Sequence, residues 1–398
     1  MKSFLPAAVF LVLLSCRAAA QTLTITDENY RAVTRGGVVT GGWSSTADAA
    51  APAVTIRTAR PVTFLNAVFR GRGVLVNIAA QHGQVTLRGC TLIGLNPDIR
   101  GQAVGRAILA QLPDHLVVER CRFENTGGIG IQGDGTVNGV VSIQENSAHN
   151  IDGRLSDGQS GWLDDSAGNG HITTQFVGID HARFTRSEIA WNQVINDPGQ
   201  SRVEDNINIL NGGGTPGSPL LIHDNYIQGA YGGNPLSGYY AGSGINAADG
   251  GILDHIGTNG ALGTATAYVH AYNNQVVGTE NYGIGINAGH DNEADHNRVV
   301  SCGMLPGGAP YQKANLGNMV GVQVLNVYHT GAFYVNSVHD NVVGLRRPDG
   351  TRADYSLADA AKSFANRSVP GPITLASEKA EYTRWRWKLR RNHIPLPD

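Results

Sequence analysis

The chain has 398 residues, 52 of them glycine, and a formal net charge of −2. This length suits one elongated solenoid, and the glycine-rich, helix-poor makeup speaks against an α/β domain of the same size. Near-balanced charge excludes a global attraction to nucleic acid or an anionic membrane, so any polyanion site must be local.

Residues 1–20 read as an export signal: Lys2, an apolar run from Phe4 to Leu14, and Ala18-Ala19-Ala20 ahead of Gln21. The run is too short to span a bilayer, and no transmembrane segment is expected. Leu13-Leu14-Ser15-Cys16 also resembles a bacterial lipoprotein box, which makes Cys16 a candidate lipid anchor; either way the mature chain is expected to be secreted or periplasmic. Cleavage after Ala20 leaves Cys90, Cys121 and Cys302, too few for a disulfide framework. Residues 21–53 form an N-terminal cap region, with a short helix expected over Asp27 to Arg35.

From residue 54 onward, ten windows of ten residues align on one register. Their sixth position reads Ala67, Cys90, Cys121, Asn146, Asn192, Asn225, Asn274, Asn297, Asn341, Asn392. Three residues earlier stand Phe64, Leu87, Val118, Ile143, Ile189, Ile222, Ala271, Ala294, Val338 and Leu389. Two residues later stand Phe69, Leu92, Phe123, Ala148, Val194, Ile227, Val276, Val299, Val343 and Ile394. Neither flanking column holds a polar side chain. Each window therefore reads as strand, bend and strand with both apolar residues facing a shared interior. Runs such as Asn206-Ile207-Asn208-Ile209, Gly244-Ile245-Asn246 and Gly283-Ile284-Gly285-Ile286 supply a third strand per coil. Stacked about 4.8 Å apart, some ten coils make a rod roughly 45–50 Å long, and the aligned Asn amides link one coil to the next.

This pattern resembles the right-handed parallel β-helix repeat of the pectate-lyase-like superfamily, which carries an asparagine ladder at the bend between second and third strands. The resemblance covers about residues 54–398 and implies an all-β, single-stranded solenoid with short helical caps. The β-helix is assigned to residues 54–344, and residues 345–398 to a C-terminal helix and a final capping coil. Many carbohydrate lyases, hydrolases and epimerases share the fold, as do adhesins.

Loops between coils are uneven, and the long ones are where chemistry is sought. The loop from His149 to Thr174 holds Trp162, Asp164-Asp165 and Gly170-His171. It faintly resembles polygalacturonases in its Asp-Asp pair and later Gly-His, although no separate Asn-Thr-Asp is present. Ile179-Asp180-His181 resembles part of a pectate lyase motif, with Gly178 where that motif has tryptophan. Arg202, Glu204 and Asp205 then lead into a groove strand, and Asp249, His290 and Lys313 follow on later loops. β-Elimination from a uronate needs a cation to neutralise the carboxylate and a base for the α-proton. These six residues are the catalytic candidates, with Glu204 and Asp205 as candidate Ca²⁺ ligands. Tyr231, Tyr239, Tyr240, Tyr311 and Trp162 offer flat rings for sugar faces. His290, Asp295 and His296 have metal-ligand chemistry at irregular spacing, unlike a zinc motif.

Near the end, Ser356 to Arg367 is expected to be helical, and Arg384 to Arg391 an amphipathic last strand with charges outward. The expected activity is processing of a polysaccharide, by Ca²⁺-assisted lyase chemistry or by two-carboxylate hydrolysis. The competing expectation is a non-catalytic surface or glycan-binding module. The sequence does not speak to oligomeric state.

Overall fold

The computed structural model describes residue 34 and residues 36–397, apart from 47, 238–241, 251–264, 312–317 and 361. The export signal expected over 1–20, Cys16, the helix expected over 27–35 (save residue 34), Tyr239, Tyr240 and Lys313 lie outside the described residues. Among the described residues, three parallel sheets of 11, 11 and 10 strands run the length of the molecule, and each coil gives one strand to each sheet in chain order, save the last, which gives none to the third. The chain is thus a right-handed parallel β-helix, here of eleven coils, from Gly37–Val39 to Arg367–Ser368. Register follows the apolar columns: Leu116 pairs with Val85 and Val141, and Val118 with Leu87 and Ile143. Shifting one residue would turn these side chains to solvent, so the buried interior fixes the stacking.

The bend between the first and second sheets is built the same way along most of the rod. Arg120, Glu145, Trp191, Asp224, Asn273, His296 and Asp340 take left-handed backbone with φ of 53 to 58°. Such a conformation costs roughly 1–2 kcal/mol outside glycine. What offsets it follows one residue later. From Asn192 through Asn225, Asn274, Asn297 and Asn341 to Asn366, each Oδ1 accepts the backbone N–H and the Nδ2–H of the preceding ladder residue, Asn146 being the first donor, at 2.8–3.1 Å. Each amide also donates back to the preceding coil, as Asn192 Nδ2 does to Ile143 O at 2.8 Å. The ladder's own buried amides are thereby satisfied within the protein. Cys90 and Cys121 occupy the column ahead of the ladder, both buried, and the Cys121 N–H donates to Asn146 Oδ1 at 2.8 Å.

The ends differ from the sequence expectation in three ways. A coil precedes residue 54: Val39 and Trp43 face inward, with the Trp43 ring 5.1 Å from Phe69. Its bend is one residue shorter, so it falls outside the aligned register. The helix expected over Ser356 to Arg367 is instead the short strands Tyr355–Ser356, Lys362–Phe364 and Arg367–Ser368. There Asn366 is the last ladder member in place of Asn392, and its coil escaped the pattern because Ser363 and Ser368 stand where other coils have apolar residues.

The expected last strand is a helix, Leu375–Asn392, here α1. Thr374 and Ser377 form a capping box at its start, and His393 closes it in the left-handed region. Glu381, Trp385 and Leu389 are buried at helical spacing of four, whereas Trp387 is 59% exposed. Helix α1 lies along the side of the rod rather than over its end. It covers Tyr226, Val277, Val300 and Cys302 on the second sheet's outer face. Arg298 grips Glu381 through two bonds of 2.7 Å, and Trp385 Nε1 donates to Asp224 O at 3.0 Å. Among the described residues, no helix is long and apolar enough to cross a membrane.

Candidate functional site

The third sheet's outer face stays open. One outward column there reads Leu109, Gly130, Gly178, Asn208, Asn246, Gly285 and Gln323, in register across seven coils. Glycines leave the floor low, and the amides give it hydrogen-bonding edges. Two adjoining clefts of about 430 and 320 Å³ follow this column and share Glu204 and Asp249. Thr173 and Gln175 wall one cleft, and Tyr282, Val327 and Tyr328 wall the other.

An irregularity places the acidic centre. Strand Ser243–Asp249 pairs Asn246 with Asn208 but Asp249 with Leu210, so it carries one residue more than its neighbour. The bulge buries both Ala247 and Ala248 and brings Asp249 to the groove. Asn208 Nδ2 donates to Asp205 Oδ2 at 2.8 Å and to Asp249 Oδ2 at 3.2 Å, so one amide proton carrier serves two carboxyls. Asn246 Nδ2 reaches the same Asp205 oxygen at 3.4 Å, and the Ser243 hydroxyl donates to Asp205 Oδ1. The Tyr328 hydroxyl donates to Asp249 Oδ1 at 2.6 Å. Burial, with the Asp249 and Glu204 charges alongside and against the Ser243 hydroxyl, pushes the Asp205 carboxyl up to about 7. Burial, then the Asp249 charge, raises the Tyr328 phenol above its ordinary range, so it is held as a hydrogen-bond donor.

A cation stands in the same cleft. Arg106 donates to Gly127 O at 3.0 Å, Gln175 Oε1 at 3.1 Å and Thr173 O at 3.5 Å, all neutral acceptors. Burial lowers its guanidinium to about 10. Asp180, from the Ile-Asp-His triplet, lines this cleft, and its Oδ1 lies 2.5 Å from His181 Nδ1.

Of the expected catalytic residues, Glu204, Asp205 and Asp249 come together in the groove. Arg202 is 1% exposed and turns inward, 3.8 Å from Asp165. His290 lies at a corner of the coil, stacked on Tyr334 at 4.5 Å and bonded to Asp291 at 2.7 Å. Tyr231 and Tyr311 are buried against one another, with ring centroids 5.8 Å apart, and present no face to solvent. Trp162 lies under the Arg154 guanidinium at 4.5 Å. The Asp164-Asp165 pair serves two local turns: Asp164 accepts from Ser166, while Asp165 is buried between His171, Gly170 N–H and Gly233 N–H. Sequence reading passed over Asn208, Asn246, Arg106 and Tyr328. The first two were legible as the outward alternates of strands whose isoleucines face in; Arg106 and Tyr328 had no local signal.

Among the described residues, the side chains whose metal-ligating atoms converge within 4.8 Å are Asp295, His296 and His339, and His270, Glu293 and Asp295, all outside this groove. No protein-family model and no curated protein matches the chain.

Proposed function

We propose that this protein binds an extended polysaccharide along the third-sheet groove and cleaves it by acid–base chemistry at Asp249 and Glu204, with Asp205 beneath them. The observation that carries this reading is the Asn208 amide shared by Asp205 and Asp249. Burial, with the Asp249 and Glu204 charges alongside, raises the Asp205 carboxyl to about 7, so it can keep a proton beside the other two near neutral pH. Glycosidic cleavage needs that pairing: a proton for the departing oxygen and a carboxylate as base or nucleophile. Asn208, Asn246, Gln323 and Gln175 offer edges to sugar hydroxyls, and Tyr282 and Tyr328 offer rings. The solenoid with its asparagine ladder agrees with the resemblance to pectate-lyase-like proteins, and the apolar run from Phe4 to Leu14 supports reading it as an exported protein.

A lyase acting on uronates is the second reading, favoured by Arg106, whose hydrogen bonds go to neutral oxygens and leave its charge for a substrate carboxylate. It requires a cation, Ca²⁺ on Glu204 and Asp205, to offset the acidic centre.

Neutral and uronate polymers, each offered with and without chelator, distinguish these chemistries. New reducing ends without unsaturated product mark hydrolysis; chelator-sensitive ultraviolet absorbance marks the lyase. Glu204→Gln with Asp249→Asn is expected to cut turnover by about 10³-fold at an unchanged melting temperature. Unaltered turnover in that variant removes the site. Glycan binding with no product in any arm makes the groove a binding surface instead.

A further inference from the structure

The first sheet's outer face carries a second cluster, independent of the groove. Two outward columns cross there. One reads Tyr272, Asp295, His339 and Phe364 on successive coils, and the other His270, Glu293 and Ser337. His296 follows Asp295 in the left-handed bend position, φ 53°, which sends its ring back over the strand. Three imidazoles and three carboxylates result. Asp295 holds His270 Nε2 at 2.5 Å and His296 Nδ1 at 2.6 Å, one on each oxygen. His339 meets Glu293 through Nε2 at 2.6 Å and Asp340 through Nδ1 at 2.9 Å.

Two carboxylates thus flank one imidazole. An upstream coil repeats that arrangement with a cation added. His223 also faces two carboxylates, Glu188 and Asp224 at 2.8 Å each, and there Lys388 of α1 sets its ammonium 2.9 Å from Asp224. Among the described residues, neither Glu293, Asp295 nor Asp340 pairs with a lysine or arginine; their charged partners are histidines alone. The face is also open: His296 and Glu293 side chains are 56% and 39% exposed, so an ion has a path in.

We infer that Asp295, His296 and His339 form a site for a borderline divalent transition ion of the zinc class, linking the ninth and tenth coils. Two imidazoles and one carboxylate suit such an ion, whereas Ca²⁺ and Mg²⁺ prefer oxygen throughout. The donor atoms lie within 4.8 Å of one another. Zinc bonds of about 2.0–2.1 Å require them somewhat closer, which the exposed His296 side chain reaches by a small rotation toward the more buried Asp295 and His339. The surroundings already orient the ligands. Asp340 engages His339 Nδ1 and leaves Nε2, 2.6 Å from Glu293 Oε1, as the nitrogen to be shared with the ion; Phe364 stacks on the His339 ring at 4.5 Å, and His270 fixes Asp295 from behind.

The test uses the full chain stripped with chelator, titrated calorimetrically with Zn²⁺ and followed by visible absorption with Co²⁺. One equivalent should bind, with a rise in melting temperature and a tetrahedral Co²⁺ spectrum. His296→Ala with His339→Ala should weaken binding at least tenfold while leaving circular dichroism unchanged. His149→Ala, at an exposed histidine paired with Asp197 elsewhere on the rod, should bind as wild type. Absence of binding by the wild type overturns the inference, as does equal binding by the double variant. Loss of binding in Glu204→Gln with Asp249→Asn also overturns it, since that places the ion in the groove.

Discussion

The second and third sheets present outer faces of the same geometry, yet one is covered by a helix and the other is open. Outward positions on the second sheet carry Tyr226, Val277 and Val300, and Trp385 and Leu389 of α1 bury them. Outward positions on the third carry Asn208, Asn246, Gln323 and Asp249, where Asn208 donates to Asp249 while Asn246 and Gln323 both bond to Asn287, and they line the open clefts. The inward columns are alike on both. What a face of this solenoid does is thus decided by residues that play no part in making the solenoid.

Each face also buries one carboxyl near neutrality, for different ends. Under α1, burial raises Glu378 to about 7 against the pull of the Cys302 N–H, which it accepts at 2.7 Å. In the groove, Asp205 reaches about 7 with Asp249 and Glu204 beside it. Both groups hold their proton more tightly when folded, so each contributes stability that is complete below the ordinary carboxyl range and lost as pH rises through 7.

The sharpest break of the comparison is Trp385→Ala, which empties the contact under α1. It should cost about 3–5 kcal/mol in denaturant unfolding, with the groove's turnover retained. Parallel loss of turnover would mean the two faces are coupled. Next, Asp205→Asn removes a carboxyl displaced by about three pKa units, and above pH 8 it should gain up to about 4 kcal/mol relative to wild type, with the gain gone near pH 4. If Asp205 shares the catalytic proton, the same variant also loses the fall of turnover above pH 7. Glu378→Gln should gain up to about 3 kcal/mol over the same alkaline window, read from melting temperature against pH, without touching the turnover profile. The smallest effect belongs to Trp387→Ala. Its ring is 59% exposed beside Arg391, and stability should stay within about 0.5 kcal/mol.

Legibility followed the same division. Nine of the ten aligned windows fall on successive coils, because an interior shared by all coils demands the same residue type at the same place each time. Asn392 and Leu389 satisfied the spacing by coincidence: two apolar columns five residues apart also fit Leu389 buried on α1 and Ile394 packed just beyond its end. Glu204, Asp205 and Asp249 were readable as a cluster because they border third strands. Tyr231 and Tyr311 were readable as aromatics but not as buried ones, nor Trp162 as the ring under Arg154, since loop-to-loop packing has no period.

By itself the sequence determined the solenoid, its parallel register and its asparagine ladder, for these rest on periodic burial and on hydrogen bonds between equivalent residues. Only the tertiary structure decided that a bulge at Ala247 and Ala248 brings Asp249 beside Asp205, and that Tyr328 closes the same groove. It alone turned Arg202 inward, and only there do Asp295 and His339 meet across two coils. Those contacts join residues far apart in the chain through loops of unequal length, and no repeating demand of the core marks them beforehand.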